Sequence, residues 1–180
     1  MIDYKWIHDF EGHVGHPYWP GGESGITLDP GFDLAGKTKY QIDTYYKSIV
    51  SPVQLAALYD VTNFRGQRAA EGLSRSEVIR SIRVNRLDAE ILFTSIAGGY
   101  LTRLLKLYPT IETAPDGVQT ALLSLAYNRG YACFKPLRDE IYTCNWQAIG
   151  EAVGKMQQDH KLKGIRLRRQ AESELILSSI

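Results

Sequence analysis

The segment from residue 12 to residue 36 constrains the fold of this chain more than any other. It contains seven of the sixteen glycines and three of the seven prolines in the 180 residues. Glycine and proline are the poorest helix formers, so this density excludes a long helix and predicts short strands joined by tight turns. Residues 25–28 (GITL) and 31–34 (GFDL) alternate apolar and polar side chains. We therefore expect a hairpin in which Thr27 and Asp33 point away from their apolar neighbours, toward a cleft.

A short amphipathic helix is predicted before this segment. Its apolar residues recur at helical spacing over residues 2–11, namely Ile2, Trp6, Ile7 and Phe10. Gly12 is the stop signal, so Glu11 is predicted to be the last helical residue. The negative end of the helix dipole favours the protonated form of a carboxyl there, and the rings of Trp6 and Phe10 add desolvation. These conditions suit a general acid.

Helical patterns continue from Thr38 to the end of the chain. Ser51, Pro52 and Gln54 combine an N-cap, a proline at the first helical position and a capping-box glutamine, and residues 74–77 (SRSE) repeat the capping-box signature. The predicted helices are residues 39–49, one beginning after Ser51, a long tract from residue 74 to residue 107 with a bend or break at Gly98–Gly99, one from Pro115 or Asp116 to about residue 129, residues 135–142, residues 145–157 with Asn145 as N-cap, and one after Gly164.

These patterns predict an α+β fold that is mostly α. We expect one domain over residues 1–180, with a glycine-rich β lobe at about residues 13–36 and a helical remainder. A chain of this length buries an ordinary core without metal or disulfide support. The four histidines and two cysteines lack the spacing of a metal or redox motif, so we assign no metal and no cofactor.

Composition limits the classes of partner. A hydrophobic content of 44%, a charged content of 23% and a net charge of +1 argue against a general nucleic-acid binder. The N-terminus has no basic region followed by an apolar stretch, so we expect no signal peptide and no stable membrane insertion. We expect a monomer that folds in a cytoplasm.

Three separated segments resemble the phage-type lysozymes of the T4 lysozyme superfamily. They are Phe10-Glu11-Gly12 together with residues 24–34, then residues 121–130 (ALLSLAYNRG), and finally residues 164–172 (GIRLRRQAE). The first segment is most similar to the pesticin-like branch. The order of the three segments agrees with a small glycine-rich lobe followed by a helical lobe. The resemblance implies a lysozyme-like fold with the β-hairpin lobe packed on the helical lobe and the active-site cleft between them.

The resemblance also implies a reaction, which is hydrolysis of the glycosidic bond between N-acetylmuramic acid and N-acetylglucosamine in peptidoglycan. The family's acid maps onto Glu11 and its threonine onto Thr27. The common phage pattern has an aspartate between these two, whereas here the interval holds only Glu23 as an acid. In the pesticin-like pattern the second carboxylate follows the threonine by six residues, which is Asp33.

Each candidate also has a structural interpretation. Thr27 orients a water molecule or fills a strand, and Asp33 is the second catalytic carboxylate or fixes the hairpin through backbone hydrogen bonds. Asp29, before a proline, is a turn residue rather than a catalyst. The rings of Tyr18 and Trp19 contact sugars or pack in the core.

Two features of the helical part have similar alternatives. Asn128 resembles the family's asparagine beside the cleft, where it binds an N-acetyl group or Glu11, or it caps its helix. Residues 155–172 carry six basic and two acidic side chains, a local net charge of +4, which suggests a surface that attracts anionic wall polymers. A solvated helix face is the alternative, and Arg168 and Arg169 have the spacing of a structural ion pair with Glu172.

The leading functional hypothesis is an endolysin. Such an enzyme stays in the host cytoplasm until a holin permeabilises the membrane and then acts on the periplasmic wall. The alternatives are an antibacterial toxin or secretion-system effector with the same activity, a non-catalytic peptidoglycan-binding module, and a lytic transglycosylase. Thr27, as a water-positioning residue, favours hydrolysis over the last of these.

Overall fold

The computed structural model describes residues 1–180 and confirms a mostly helical α+β architecture with one small antiparallel sheet. The elements in chain order are α1 (Tyr4–Glu11), β1 (Thr27–Leu28), β2 (Phe32–Asp33), α2 (Lys39–Tyr46), α3 (Pro52–Asp60), α4 (Gly66–Arg75), α5 (Glu77–Arg80), α6 (Arg86–Leu107), a 3₁₀ helix (Pro109–Thr113), α7 (Asp116–Arg129), a second 3₁₀ helix (Tyr131–Leu137), α8 (Arg138–Tyr142), α9 (Trp146–Lys155) and α10 (Lys163–Leu177).

The chain forms two compact units. The N-terminal unit is residues 11–93, and the C-terminal unit is residues 1–10 with residues 94–180. The grouping of both units into one domain stays a prediction. No helix is long and apolar enough to span a bilayer.

The N-terminal unit contains the predicted hairpin. Thr27 pairs with Asp33 and Leu28 with Phe32, in antiparallel register. The strands are shorter than the alternating pattern predicted, although the backbone bond from Leu34 N to Ile26 O, at 2.9 Å, extends the pairing by one step. The hairpin packs on α2, where the ring of Phe32 contacts that of Tyr46. The fully buried side chains are Ile26, Leu28 and Leu34 in the hairpin segment and Ile42 and Tyr46 in α2.

Capping interactions set several helix starts. Ser51 and Gln54 form the predicted capping box at α3, with Pro52 as the first helical residue. The predicted cap at Ser74 is wrong, because α4 continues through that residue to Arg75. Ser76 instead caps α5, where its hydroxyl accepts a hydrogen bond from Ile79 N.

The C-terminal unit is built around α7, whose residues Val118 to Ala126 are almost all buried. The predicted bend at Gly98–Gly99 does not break the helix, and α6 is a single element from Arg86 to Leu107. Helices α9 and α10 pack closely where Gly150 faces Leu177, since a Cβ on that glycine would lie 2.8 Å from the leucine side chain. Asn145 caps α9 as predicted.

Candidate active site

Glu11 is the last residue of α1, as the sequence predicts. The helix stops because Gly12 has a φ of 76°, a conformation that side chains other than glycine rarely adopt. The buried Ile7 and His8 anchor one face of α1. The rings of Trp6 and Phe10 meet edge to face with centroids 4.9 Å apart, so an aromatic pair directly precedes the half-buried Glu11.

Thr27 lies at the junction of two chain pairings. Its backbone bonds to Tyr18 in both directions, with N–O distances of 2.8 and 3.0 Å, and on its other side it pairs with Asp33. Only 3% of Thr27 is exposed, and Ile26 and Leu28 are fully buried, so both faces of this strand are covered. The hydroxyl lies 3.5 Å from Gly25 O, a weak hydrogen bond. The position of Thr27 opposite Asp33 places the two side chains on the same face of the hairpin.

Asp33 binds the backbone of its own hairpin. Its Oδ1 accepts hydrogen bonds from Ala35 N at 2.8 Å and Gly25 N at 3.1 Å, and Oδ2 lies 3.2 Å from the same Gly25 N. The hairpin-fixing alternative is therefore correct as a description of its contacts. Asp33 remains half-buried, and two amide donors leave part of its acceptor capacity for another ligand.

Asp29 lies in the hairpin turn and also contacts the segment that follows Glu11. It is 3% exposed, and its carboxylate accepts hydrogen bonds from the backbone N–H groups of Val14 and Gly15 and lies 2.9 Å from His13 Nδ1. Its own carbonyl accepts a hydrogen bond of 2.7 Å from the Tyr46 hydroxyl. Asp29 thus ties the segment that follows Glu11 to the hairpin turn.

Tyr18 connects the candidate carboxyl groups electrostatically. Partial burial raises the pKa of its phenol, and the negative charges of Asp29, Glu11 and Asp33 raise that pKa further, in that order. Three acidic side chains that are up to 22 positions apart in the sequence therefore act on one hydroxyl group. The fold brings Glu11, Tyr18, Thr27, Asp29 and Asp33 into one neighbourhood of the N-terminal unit.

Trp19 has a structural contact, because its indole N–H donates a hydrogen bond of 3.1 Å to Ser24 O and closes the intervening loop. Asn128 belongs to the C-terminal unit, near the end of α7. Its amide oxygen accepts a hydrogen bond of 2.9 Å from Arg169 Nη2. Its amide nitrogen makes no hydrogen bond within the protein, and the residue is half-buried.

The basic segment at residues 155–172 is not one continuous surface. Arg168 and Arg169 are 3% and 0% exposed, and both contact the fully buried Glu172. Ser124 donates a hydrogen bond of 2.6 Å to that carboxylate. Burial raises the pKa of Glu172 and lowers that of Arg169, while their mutual attraction opposes both changes.

The structural ion-pair alternative is therefore confirmed for Arg168 and Arg169. The exposed cations of this segment are reduced to three lysines, Lys155, Lys161 and Lys163, since Arg166 is half-buried. Arg168 also stacks on the ring of Phe10, with its Cζ atom 5.4 Å from the ring centroid. The residue just before Glu11 is thus packed against the buried ion-pair cluster of α10.

Sequence reasoning missed the contact between His13 and Asp29 and the central position of Tyr18. The sequence signal for the contact between His13 and Asp29 was only that a histidine lies two residues after Glu11. A cavity of about 550 Å³ among α3, α4 and α5 includes none of the candidate residues. No group of three or more His, Cys, Asp or Glu side chains is arranged to hold a metal ion.

No protein-family model matches this chain, and no curated protein sequence matches it either.

Proposed function

We propose that this protein is a muramidase that hydrolyses the bond between N-acetylmuramic acid and N-acetylglucosamine in peptidoglycan, and that its fold is of the lysozyme type. The observation that carries the proposal is that Thr27 pairs with Asp33 on one side and with Tyr18 on the other, while the charges of Asp29, Glu11 and Asp33 all act on the Tyr18 phenol. Glycoside hydrolysis needs two carboxyl groups near one bond, one to protonate the leaving oxygen and one to stabilise the sugar cation or activate water.

Glu11 is the proposed general acid. It is half-buried at the C-terminal end of α1, next to the aromatic pair of Trp6 and Phe10. Phe10, the residue before Glu11, contacts Arg168, whose Cζ atom lies 5.4 Å from the ring centroid.

Asp33 is the proposed second carboxylate and Thr27 the proposed water-positioning residue. The amides of Gly25 and Ala35 hold the Asp33 carboxylate in one orientation while leaving lone pairs for water or substrate. Thr27 lies directly opposite Asp33 in the register, on the same face of the hairpin, and only 3% of it is exposed. Tyr18, Trp19 and Asn128 are proposed substrate contacts, with the free amide nitrogen of Asn128 suited to an N-acetyl carbonyl.

A non-catalytic peptidoglycan-binding module is the second candidate. The observation that favours it is that Asp29 and Asp33 both have structural contacts with backbone amides. Such contacts preserve the hairpin whether or not the carboxylates take part in a reaction.

The deciding experiment measures loss of turbidity of permeabilised Gram-negative cells and release of muropeptides from purified sacculi. We expect wild type to release muropeptides with reducing ends, and Glu11→Gln to lose about 100-fold or more of the rate, as removal of a general acid does. Asp33→Asn should also be strongly impaired. Glu23→Gln is the matched control, because Glu23 is the only acid between Glu11 and Thr27, and this variant should retain activity.

Other outcomes discriminate among the alternatives. Binding of wild type to sacculi without release of muropeptides would establish the binding module. Anhydro-muramic products would indicate a lytic transglycosylase. Full activity in Glu11→Gln would remove that residue from the mechanism.

The proposed biological role is that of an endolysin which reaches the periplasmic wall after a holin acts. A toxin or secretion-system effector with the same activity is the alternative. The genes next to this one distinguish the two roles, since a holin gene indicates the first and an immunity gene the second.

A further inference from the structure

A pocket in the C-terminal unit has a composition suited to a charged ligand. It has a volume of about 460 Å³ and is lined by Leu107, Tyr108, Lys135, Arg138 and Tyr142. This volume lies within the range of about 300 to 1,000 Å³ that is typical of small-molecule sites. All five lining residues belong to the C-terminal unit, whereas Glu11, Thr27 and Asp33 belong to the other.

The pocket carries two positive charges without a compensating acid. Lys135 and Arg138 are exposed, and neither lies within ion-pair distance of a carboxylate, although Asp139 and Glu140 are adjacent in sequence. The guanidinium of Arg138 stacks over the ring of Tyr142, with Cζ 5.5 Å from the centroid. That stacking fixes the guanidinium group at the pocket wall, where its planar donors suit a carboxylate.

The aromatic residues add a second, independent feature. Tyr108 is only 8% exposed, and its hydroxyl makes no hydrogen bond within the protein and is not fully enclosed by protein atoms. Burial raises the pKa of this phenol, so the hydroxyl is protonated at neutral pH and can donate a hydrogen bond to a ligand. Tyr142 is 46% exposed, and its ring offers a flat apolar surface beside the cations.

We propose that this pocket binds a carboxylate-bearing sugar. The carboxylate would meet Lys135 and Arg138, the sugar ring would pack on Tyr142, and a sugar oxygen would accept the hydrogen bond of the Tyr108 hydroxyl. Among wall sugars, N-acetylmuramic acid has this chemistry when its lactyl carboxyl group carries no stem peptide. That identification rests on the proposed function.

The test is an NMR titration of the isotope-labelled full chain with two sugars. N-acetylmuramic acid and N-acetylglucosamine differ by the lactyl carboxylate, so the second is a matched neutral control. We expect the amide resonance of Lys135 and the amide and ring resonances of Tyr142 to shift saturably with N-acetylmuramic acid. The same resonances should shift much less with N-acetylglucosamine.

Variants then assign the binding to the pocket. Measured at the Tyr142 resonances, the double variant Lys135→Gln, Arg138→Gln should weaken binding of N-acetylmuramic acid by about tenfold or more, and Tyr108→Phe by about fivefold. The matched control Lys155→Gln, Lys161→Gln removes two exposed cations of the same unit and should leave the affinity unchanged. All of these positions except Tyr108 are exposed, so loss of folding is not expected.

Equal shifts with both sugars, no shifts at Lys135 and Tyr142, or unchanged affinity in the double variant would overturn the proposal. The failure of the proposed function has a different signature. If wild type binds N-acetylmuramic acid in the pocket but releases no muropeptides, the muramidase fails and the pocket stands. If it releases muropeptides but N-acetylmuramic acid shifts no resonance of the pocket, the muramidase stands and the pocket proposal fails.

Discussion

The two units of this protein hold their hydrogen-bonded carboxylates in different ways. In the N-terminal unit, Asp29 and Asp33 accept hydrogen bonds from backbone amides of nearby loops. In the C-terminal unit, Glu172 of α10 is bound by the side chains of Arg168, Arg169 and Ser124, and Ser124 belongs to α7. An amide-bound carboxylate fixes the path of one loop, whereas a carboxylate bound by arginines fixes the packing of helices that are distant in sequence.

The comparison predicts that the largest loss of stability follows disruption of the C-terminal cluster. Glu172→Gln leaves Arg168 and Arg169 buried without their counter-charge, which should reduce the free energy of unfolding by about 3 to 5 kcal/mol. Urea denaturation followed by circular dichroism measures the change. The exposed Glu174 lies on the same helix, and Glu174→Gln should change that free energy by less than about 0.5 kcal/mol. Similar values for the two variants would show that the cluster is not a centre of stability.

The next largest effect is expected from crowding the Asp33 carboxylate. A Cβ at Gly25 would lie 2.5 Å from Asp33 Oδ1 and 2.8 Å from Ala35 N. Gly25→Ala should therefore destabilise the hairpin by about 1 to 3 kcal/mol, with faster amide hydrogen exchange at Ala35. Gly98→Ala is the control, because this helical glycine has open space around it, and it should be neutral or slightly stabilising. A stable Gly25→Ala variant with unchanged exchange would mean that the contact is loose.

A smaller effect is expected when Asp33 loses its charge but keeps its shape. Asp33→Asn retains an oxygen that accepts hydrogen bonds from Gly25 and Ala35, so the unfolding free energy should fall by about 1 kcal/mol. The exposed Asp159 is the control position, where Asp159→Asn should have no measurable effect on thermal unfolding. A loss as large as that of Glu172→Gln would contradict the distinction between loop-fixing and helix-fixing carboxylates.

The smallest effect is a change in the titration of Tyr18. Negative charges disfavour the phenolate, so removing one of them should lower the pKa of Tyr18 toward its ordinary value. NMR of ¹³Cζ-labelled tyrosine should show a decrease in Asp33→Asn and a larger one in Glu11→Gln. Glu172→Gln, in the other unit, should leave this pKa unchanged. If neither variant of the N-terminal unit lowers it, the three carboxylates do not converge on Tyr18.

The sequence predicts the features that depend on neighbouring residues. The end of α1 at Glu11, the hairpin at Thr27 and Asp33, and the caps at Ser51 and Asn145 all follow from local patterns. These signals are strong because glycine, proline and capping side chains act within one turn of the chain.

The sequence does not predict the features that depend on long-range packing. The spacing of Arg168, Arg169 and Glu172 fits both a solvated helix and an internal ion pair, and only the burial of α10 decides between them. Asp29 lies in the hairpin turn, as predicted, but the sequence does not show that its carboxylate also accepts a hydrogen bond from Val14 N, 15 positions earlier in the chain. Of the bend or break predicted at Gly98–Gly99, the break is wrong, because the surrounding helical sequence outweighs the low helix propensity of two glycines.

The contacts of Asp29 have a practical consequence for engineering. They join the chain at Val14 and Gly15 to the turn of the hairpin, and the pairing of Tyr18 with Thr27 joins it a second time. The residues between Trp19 and Ser24 therefore form a loop whose two ends are already held together. Doubling the length of such a loop costs only about 0.6 kcal/mol of closure entropy. This loop is thus a suitable place to insert a peptide tag or a wall-targeting sequence while keeping the hairpin intact.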